Sequence, residues 1–473
     1  MKNYKVAIVG GGPAGMMAAI ATGKYLNTES RIVLIEKTDC LGKKLLLTGG
    51  GRCNIANASP IKDQLKKFKD KSFLKHSFFT LNNEQLLAIF KEKGLEFKEE
   101  NGRYFPVTDE AKSVLNILKD YLKELKVDIL LNHPVKSITK NKENLFEIKS
   151  SKSTIFSEKI ILATGGISYP KTGSSGDGYK IAKEFNHSIA TLKPGLIPLK
   201  VKNKELKELS GITLENVEVS FKQKNNSDKN KFKNKNLIFK NQGNVLITHF
   251  GLSGPVILDL SNFIIEDMIQ NNLNYHVNYY NDNEIINLKN KYQDNEIINL
   301  NNKYNDNEKI NFYFADEEND LNEIIFIDLI PDVREEELRQ KIAKDSQKYG
   351  KTMIKNYMKF YLKNRFIEFF LKIANVDGET TLSNMTKKDK NKIVANLKNL
   401  RVEISGFMPK EQAMITCGGV NANEIDPKTM ESKLAKNLYF AGELLEPYGP
   451  TGGYNLQLAF STGYLAGKSC VEH

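Results

Sequence analysis

The chain has 473 residues, 40% of them hydrophobic, which exceeds one ordinary hydrophobic core and predicts two or three globular domains. Its four cysteines have no CxxC or other paired metal spacing, and no apolar run is long enough to span a membrane, so we expect a cytoplasmic protein without a metal site, a disulfide framework or a membrane anchor. The formal net charge of +12 is consistent with binding to nucleic acid or to an anionic surface. A Lys-, Asn- and Ile-rich composition without any functional meaning explains it equally well, so the charge alone does not decide between the two explanations.

The first predicted elements, at residues 5–37, are a strand, a glycine turn, a helix and a second strand. The turn reads Gly10-x-Gly12-x-x-Gly15, which is typical of a dinucleotide site: the first glycine makes the turn, the second lets a pyrophosphate approach, and the third permits close helix–strand packing. The phosphate then lies at the helix N-terminus, whose unpaired N–H groups favour an anion. Glu36 ends the second strand, where it can accept hydrogen bonds from the adenosine ribose.

A glycine-rich stretch, LLLTGGGRCNIAN (45–57), comes next. Its three glycines lack side chains that would block a cofactor, and they offer N–H donors. The preceding GKK lacks the spacing of a phosphate-binding P-loop. Arg52 could neutralise a phosphate or a substrate anion, or form a structural ion pair. Cys53 could act as a general acid or could be a small buried packing residue.

Two later segments favour FAD as the dinucleotide. KIILATGG (159–166) is an apolar strand that ends in ATGG, and a second strand ends at Gly442-Glu443 before a glycine turn and a long helix. This order resembles the FAD-binding organisation of the glutathione-reductase-like superfamily, in which the late acid, here Glu443, holds a ribitol hydroxyl. The N-terminus of the last helix, at residues 452–455, then faces the flavin and stabilises its anionic reduced form. The alternative for this turn is an ordinary loop and helix cap.

No second GxGxxG follows a strand, so the sequence predicts no dedicated NAD(P)H domain. A nicotinamide reductant would have to visit the flavin transiently.

The chain between these segments predicts two inserts. Short alternating runs predict a β-rich insert at 194–330 and 399–412. Helical spacing with many Lys, Arg, Tyr and Phe predicts a helical insert at 331–398, whose basic face could contact RNA phosphates. The FAD-binding domain is then discontinuous, at 1–193 and 413–473.

Three further features lie within the inserts or next to them in the sequence. A twelve-residue repeat occurs three times at 280–312, and three polar copies favour an expanded surface loop over a partner-binding module. Thr248 and His249 are active-site candidates in the β-rich insert. His187 is expected to have a structural role.

Six blocks of the sequence resemble the YhiN/BaiN-like family of FAD-dependent oxidoreductases, in family order over essentially the whole chain. They are GKKLLLTGGGRCNIAN (42–57), NGRYFPVTDEAKSVLNIL (101–118), GGISYPKTGSSGDGY (165–179), THFGLSGPVILDLS (248–261), TCGGVNANEIDPKTMESKL (416–434) and FAGELLEPYGPTGGYNLQLAFSTGYLAG (440–467). One departure is ELLEPYGPTGG, where Glu446, Pro447 and Tyr448 stand in place of a usual Asp.

The resemblance implies an α/β fold: a glutathione-reductase-like, Rossmann-type FAD-binding domain with an inserted β-barrel domain and a small helical domain. It implies an FAD-dependent oxidoreductase with NAD(P)H as the electron donor. It further implies reduction of a uridine C5=C6 bond in 23S ribosomal RNA to dihydrouridine, with hydride from reduced FAD to C6 and a proton to C5 from a general acid. The base would have to be single-stranded or flipped out of a helix. The family also contains small-molecule oxidoreductases, which reduce a conjugated double bond or oxidise an amine, so this alternative stays open.

The motifs and the resemblance together give a set of predicted site residues. The predicted catalytic residues are Cys53 and Arg52, and no metal ligand is predicted. The predicted cofactor-binding residues are Gly10, Gly12, Pro13, Ala14, Gly15, Glu36, Lys37, Lys44, Gly49, Gly50, Gly51, Arg52, Asn54, Ala163, Thr164, Gly165, Gly166, Gly442, Glu443, Gly452, Gly453, Tyr454 and Asn455.

Overall fold

The structure is a computed structural model that describes residues 3–26, 31–222, 238–270, 277–279, 311–313, 321 and 323–472. The described residues form two compact units. The first comprises Met1–Gly195, His276–Phe314 and Ala413–His473, and the second comprises Leu196–Tyr275 and Ala315–Gln412. Most of the predicted repeat, residues 280–310, lies outside the described residues.

The secondary structure alternates between strands and helices over most of the chain. The strands are β1 (Asn3–Val9), β2 (Ile32–Ile35), β3 (Ala56–Asn57), β4 (Phe97–Glu100), β5 (Arg103–Pro106), β6 (Asp128–Leu130), β7 (Val135–Lys140), β8 (Phe146–Ser150), β9 (Thr154–Leu162), β10 (Lys193–Gly195), β11 (Leu199–Val201), β12 (Thr213–Lys222), β13 (Ile238–Ile247), β14 (Gly251–Ser253), β15 (Val277–Tyr279), β16 (Asn311–Tyr313), β17 (Glu323–Asp328), β18 (Leu400–Phe407), β19 (Ile415–Cys417) and β20 (Leu438–Phe440). The helices are α1 (Pro13–Tyr25), α2 (Ile61–Leu65), α3 (Lys71–Thr80), α4 (Asn83–Lys91), α5 (Ala111–Glu124), α6 (Asp177–Glu184), α7 (Lys204–Glu208), α8 (Pro255–Gln270), α9 (Glu335–Lys348), α10 (Ile354–Tyr357), α11 (Asn364–Ala374), α12 (Lys387–Lys398) and α13 (Tyr454–Glu472).

The first unit is built on a seven-stranded sheet with the order β6-β2-β1-β9-β8-β7, and β20 also pairs with β9. β1 is parallel to β2 and β9, β2 is parallel to β6, and β20 is parallel to β9. The parallel strands are continuous apolar runs such as Ile32–Ile35, which is buried throughout, as expected for strands covered on both faces. The predicted Rossmann-type FAD-binding fold is confirmed.

Helices α1 and α13 pack closely against each other in the core of this unit. A methyl group built on Gly463 would lie 2.2 Å from the carbonyl oxygen of Ala14, and one on Gly467 would lie 2.2 Å from that of Ala18. The two glycines therefore let the backbones approach more closely than any side chain would permit. This contact joins the first helix of the chain to the last.

The second unit contains a closed barrel with the order β11-β14-β13-β12-β17-β18, so the prediction of an inserted β-barrel is confirmed. Helices α9 to α12 contribute buried side chains to the same hydrophobic core as the barrel strands; this core includes Phe366 and Phe370 from the helices and Val219 and Ile325 from the strands. The boundaries of the predicted domains, including a separate helical domain at 331–398, remain a prediction. Among the helices described, none is long and apolar enough to cross a membrane.

Candidate cofactor cleft

The cleft of the first unit lies at the carboxyl ends of its parallel strands. Gly10 follows β1, Glu36 follows β2, Thr164 follows β9 and Glu443 follows β20, and all four line the cleft. Carboxyl ends of parallel strands meet at one edge of the sheet, where open α/β folds bind nucleotides. Residues far apart in sequence are thereby brought together.

The glycine turn after β1 is shaped by two close backbone contacts. Gly10 has φ +111°, and a methyl group on it would lie 2.3 Å from the carbonyl oxygen of Ala163. A methyl group on Gly15 would lie 1.8 Å from the carbonyl oxygen of Gly10. At Gly12, by contrast, a methyl group would meet nothing within 4 Å, and φ is −79°. The protein itself therefore does not require glycine at position 12, whereas a ligand in the open space beside it would.

Glu36 is held in place by two backbone N–H groups. Its Oε2 accepts from Gly11 at 2.7 Å and its Oε1 accepts from Thr38 at 2.7 Å. Each carboxylate oxygen keeps a further lone pair, so the side chain can still accept hydrogen bonds from ribose hydroxyls. The neighbouring Lys37 is ion-paired with Asp177 at 2.7 Å.

Glu443 is the centre of a polar network in the wall of the cleft. Its Oε1 accepts from Lys44 Nζ at 2.9 Å, from Ser168 Oγ at 2.8 Å and from the Thr416 N–H at 2.7 Å. Its Oε2 accepts from Lys44 at 2.6 Å, which leaves that oxygen one further lone pair for a ligand hydroxyl. The sequence predicted Lys44 and Glu443 but missed Ser168 and Thr416, which carry no local motif that marks them as their partners.

Two observations test whether FAD fits this cleft. The hydroxyl oxygen of Thr164, in the ATGG sequence, is buried and has no hydrogen-bond partner within the described part of the chain, and such groups normally have one. The open space beside Gly12 lies at the N-terminus of α1, where an anion is favoured. With Glu36 and Glu443 available for hydroxyl groups, the residues present fit FAD.

Only part of the predicted set lines the cleft. The residues that do are Gly10, Gly12, Pro13, Ala14, Glu36, Lys37, Lys44, Ala163, Thr164, Gly165, Glu443 and Asn455. The residues that are not among its lining are Gly15, Gly49, Gly50, Gly51, Arg52, Cys53, Asn54, Gly166, Gly442, Gly452, Gly453 and Tyr454. The lining also includes His133, Met414, Thr416 and Tyr448, which are not among the predicted site residues.

Packing explains why some of these glycines lie behind the lining. A methyl group on Gly166 would lie 2.2 Å from the Thr416 hydroxyl, and one on Gly442 would lie 2.7 Å from Ala14 Cβ. These positions permit close packing of the elements that form the wall.

Arg52 forms ion pairs within the protein. Its guanidinium lies 2.7 Å from Glu100 and 2.6 Å from Asp109, and its Cζ lies 4.3 Å from the centre of the Phe105 ring. Two carboxylates and an aromatic face thus hold the side chain away from the cleft. This arrangement is the structural ion pair that the sequence left as the alternative.

Cys53 is wholly buried, and its backbone has φ +61°. Residues other than glycine rarely adopt this backbone conformation. Burial raises the pKa of its thiol to about 12, so the sulfur keeps its proton at neutral pH. A general acid needs that proton, but it also has to reach the substrate, and the thiol has no exposed surface in this conformation. The described conformation favours the alternative, a small buried packing residue, and the acid role of Cys53 stays a prediction that only the variant can test.

Three asparagines hold the glycine turn before α13. Asn57 Nδ2 donates to the carbonyl oxygen of Gly452 at 3.1 Å. The side-chain oxygen of Asn455 accepts from Gly449 at 2.9 Å. The side-chain nitrogen of Asn54 donates to the carbonyl oxygen of Ala56 at 3.2 Å, and its side-chain oxygen accepts from the Gly453 N–H at 3.1 Å. These amides position the N-terminus of the last helix.

His187 links two loops to the sheet. Its side chain is buried, with Nε2 2.7 Å from Ser432 Oγ, Nδ1 3.1 Å from Glu424 Oε2 and its ring edge-on to Phe440 at 4.7 Å. Desolvation lowers its pKa, against the opposing effect of Glu424. The described surroundings are those of a structural histidine.

We expect His187 to make the folded protein less stable in mild acid. Because its pKa is lowered in the folded state, the unfolded chain binds the proton first, and stability falls as the pH decreases from about 6.5 towards the folded pKa. Each unit of pKa difference corresponds to about 1.4 kcal/mol. Thermal unfolding of wild type and His187→Gln from pH 8 to pH 5 measures this contribution.

The exposed His76 provides the matched control, since His76→Gln removes a histidine without disturbing the buried contacts of His187. An identical decline in wild type and His187→Gln below pH 6.5 would contradict the prediction.

Thr248 and His249 belong to the second unit. Thr248 Oγ1 donates to the carbonyl oxygen of Gly251 at 3.1 Å, and the His249 ring contacts Phe250 edge-on at 5.0 Å. Both contacts are local to one turn, and neither residue lines the cleft.

Known proteins resemble this chain over its whole length. A family model described as HI0933-like protein Rossmann domain matches residues 4–469. The chain is 24% identical over 468 residues to the 3-dehydro-bile acid delta(4,6)-reductase of Clostridium scindens, with 99% of each chain covered. It is 24% identical over 474 residues to the ribosomal RNA dihydrouridine synthase of Escherichia coli, which covers 100% of this chain and 99% of the other. Among solved structures, a quinol-fumarate reductase with menaquinol molecules is 13% identical, covers 100% of this chain and 72% of that chain, and has a TM-score of 0.47.

Proposed function

We propose that this chain, which belongs to the HI0933-like family of Rossmann-domain proteins and is an FAD-dependent oxidoreductase, reduces a carbon–carbon double bond. The observation that carries the proposal is the full-length similarity to two relatives whose names both describe the addition of hydrogen across such a bond. The cleft supports it, because its residues fit the cofactor that this chemistry needs.

The substrate that we propose is a uridine of 23S ribosomal RNA, whose C5=C6 bond is reduced to dihydrouridine. The Escherichia coli relative is named a ribosomal RNA dihydrouridine synthase. The charge distribution also supports RNA: residues 331–398 contain 16 Lys and Arg against nine Asp and Glu, and cations of this density favour phosphates. Such a reaction would take place in the cytoplasm, where ribosomes are assembled.

The residues of the cleft would hold the cofactor by its polar groups. We assign the pyrophosphate to the glycine turn and the N-terminus of α1, the ribose to Glu36, and a ribitol hydroxyl to Glu443. FAD held there and reduced by NAD(P)H would supply the hydride for C6 of the uracil ring. The proton for C5 has to come from a protein group or water.

The test uses ribosomal RNA that lacks the modification. We expect anaerobic incubation with the FAD-loaded protein and NADPH or NADH to produce dihydrouridine, measured by mass spectrometry of the nucleosides. The same protein is offered a bile acid with conjugated double bonds, since the other relative supports a small-molecule substrate equally. Reduction of the bile acid without any dihydrouridine would transfer the proposal to that class.

The predicted acid is tested in the same reaction. Since the Cys53 thiol has no access to the cleft, we expect Cys53→Ala to retain FAD and most of the dihydrouridine formation. Loss of the product, with FAD retained and still reducible by NAD(P)H, would instead assign the proton transfer to this thiol. Asp109→Asn, which weakens the ion pair of Arg52, provides a control for disturbance of the surrounding loop.

A further inference from the structure

A group of exposed aromatic rings lies in the second unit, between α9 and α11. Phe360 is 71% exposed, the largest value among the big hydrophobic side chains of the described residues, and Tyr349 is 38% exposed. Their ring centres are 6.4 Å apart. The exposed surface of these rings adds nothing to the stability of the fold, because only the buried part of an aromatic side chain is stabilising.

The rings rest on a fixed base. Tyr357 is buried below them, with its hydroxyl donating to Asp345 at 2.6 Å and its ring 5.7 Å from that of Phe360. Tyr361 lies beside Tyr357, with 5.6 Å between the ring centres. The exposed rings are therefore supported from beneath by a packed and hydrogen-bonded cluster.

Lysines surround these rings. Lys348 Nζ lies 5.0 Å from the centre of the Tyr349 ring, and Lys341 Nζ lies 5.3 Å from that of Tyr361. Lys344 falls on the same face of α9 as Lys341 and Lys348 because of the helical spacing. Lys359 precedes Phe360 and is exposed. Within residues 338–363 there are eight Lys and Arg and one acidic residue.

These lysines are available to an outside anion. Arg339, Lys355 and Lys363 of the same segment pair with carboxylates. Among the described residues, Lys341, Lys344, Lys348 and Lys359 form no ion pair with a carboxylate within 4 Å, and Lys348 has only the more distant Asp345 nearby. The segment therefore offers unneutralised positive charge directly beside exposed aromatic rings.

We propose that this part of the second unit, the Phe360 surface (Lys341, Lys344, Lys348, Tyr349, Lys359 and Phe360), binds a single-stranded segment of RNA. Bases stack on Phe360 and Tyr349, and the lysines hold the phosphates, which is how proteins bind single strands without reading sequence. The inference rests on the proposed function, for which it supplies a substrate-binding surface. A protein partner would cover the exposed rings, but it would not explain the excess of lysines around them.

The chain contains no tryptophan, which permits a direct probe of stacking. We expect the emission of the FAD-loaded Phe360→Trp variant to be quenched by a single-stranded oligouridylate. In anisotropy titrations, Phe360→Ala should raise the Kd for this RNA about tenfold, in the range found for loss of one base–aromatic stack. Phe79→Ala, which removes a 44% exposed ring in the first unit, should leave the Kd unchanged.

Charge is tested separately from stacking. The double variant Lys348→Ala, Lys359→Ala should reduce the slope of log K against log salt by about 1.4, since each phosphate contact on a single strand contributes about 0.7. It should weaken polyphosphate binding as well, whereas Phe360→Ala should not. The exposed pair Lys387→Ala, Lys388→Ala on α12 is the matched control.

The outcomes separate this inference from the proposed function. Unchanged RNA binding by Phe360→Ala, with dihydrouridine still formed by the wild type, would overturn the inference alone. Weakened RNA binding by that variant, with no dihydrouridine formed by the wild type, would overturn the proposed function alone. A change in oligomeric state in Phe360→Ala, by sedimentation, with unaltered RNA affinity would assign the surface to a protein partner and overturn the inference.

Discussion

Gly12→Asp should fold normally and purify without FAD. Position 12 is the N-cap of α1, with φ −79° and ψ −176°, and aspartate is among the preferred N-cap residues. A Cβ added there would meet no heavy atom of the protein within 4 Å. The folded apoprotein should therefore be as stable as the wild-type apoprotein, or a few tenths of a kcal/mol more stable.

The cofactor is expected to be lost because the carboxylate takes the place of its phosphates. Two like charges about 4 Å apart repel by about 4 kcal/mol at an effective dielectric constant of about 20, which corresponds to about a thousandfold in affinity. Flavin absorbance per protein and fluorescence titration of the apoprotein with FAD measure the loss. Thermal melting of the apoproteins measures the unchanged fold.

Gly12→Asn is the matched variant, since it has the same size and capping ability without the charge. It should bind FAD more weakly than wild type and more tightly than Gly12→Asp, which divides the effect into size and charge. A Gly12→Asp protein that purified with full FAD would place the cofactor elsewhere than at the N-terminus of α1.

Gly467→Val should strongly destabilise the first unit and lower its FAD content as well. The added Cβ would lie 2.2 Å from the carbonyl oxygen of Ala18, so α13 and α1 would have to separate. Overpacking of this kind costs about 3 kcal/mol, and the melting temperature should fall by about 6–12 °C. Since the N-terminus of α1 lies at the cleft, displacement of the helix should also weaken FAD binding.

The melting temperatures of the two apoproteins and their FAD affinities test this expectation. Lys468→Val alters the neighbouring position on the same helix, where the side chain is 31% exposed, and should change the stability by less than about 0.5 kcal/mol. If Gly467→Val melted within 2 °C of the wild type, the close approach of the two helices would not contribute as described.

The sequence predicted best what depends on neighbouring residues. The turn around Gly10 and the acid at Glu36 belong to one strand–helix–strand unit, in which spacing determines position. The barrel was recognisable from alternating apolar residues together with the resemblance to a known family. In each case the signal lies within the segment that carries the feature.

The partners that come from distant segments could not be predicted. Ser168 and Thr416 meet Glu443 only because the loop after β9, the strand β19 and the turn after β20 converge at the cleft. Arg52 is neutralised by Glu100 and Asp109, about fifty residues further on. No periodicity marks such pairs, since a contact between distant segments leaves no pattern in either of them.

The glycine contact between α1 and α13 has a consequence for synthesis on the ribosome. The second unit, Leu196–Tyr275 and Ala315–Gln412, interrupts the first, which also includes the stretch His276–Phe314 between these two parts. Helix α1 therefore emerges from the ribosome long before α13, the helix that covers it. At about 5–20 residues per second, more than 200 residues occupy at least about ten seconds of translation. During this time the apolar side of α1 lacks α13, and the cleft lacks the wall that Glu443 completes. The nascent chain can therefore finish its nucleotide site only once its C-terminal helix has been made.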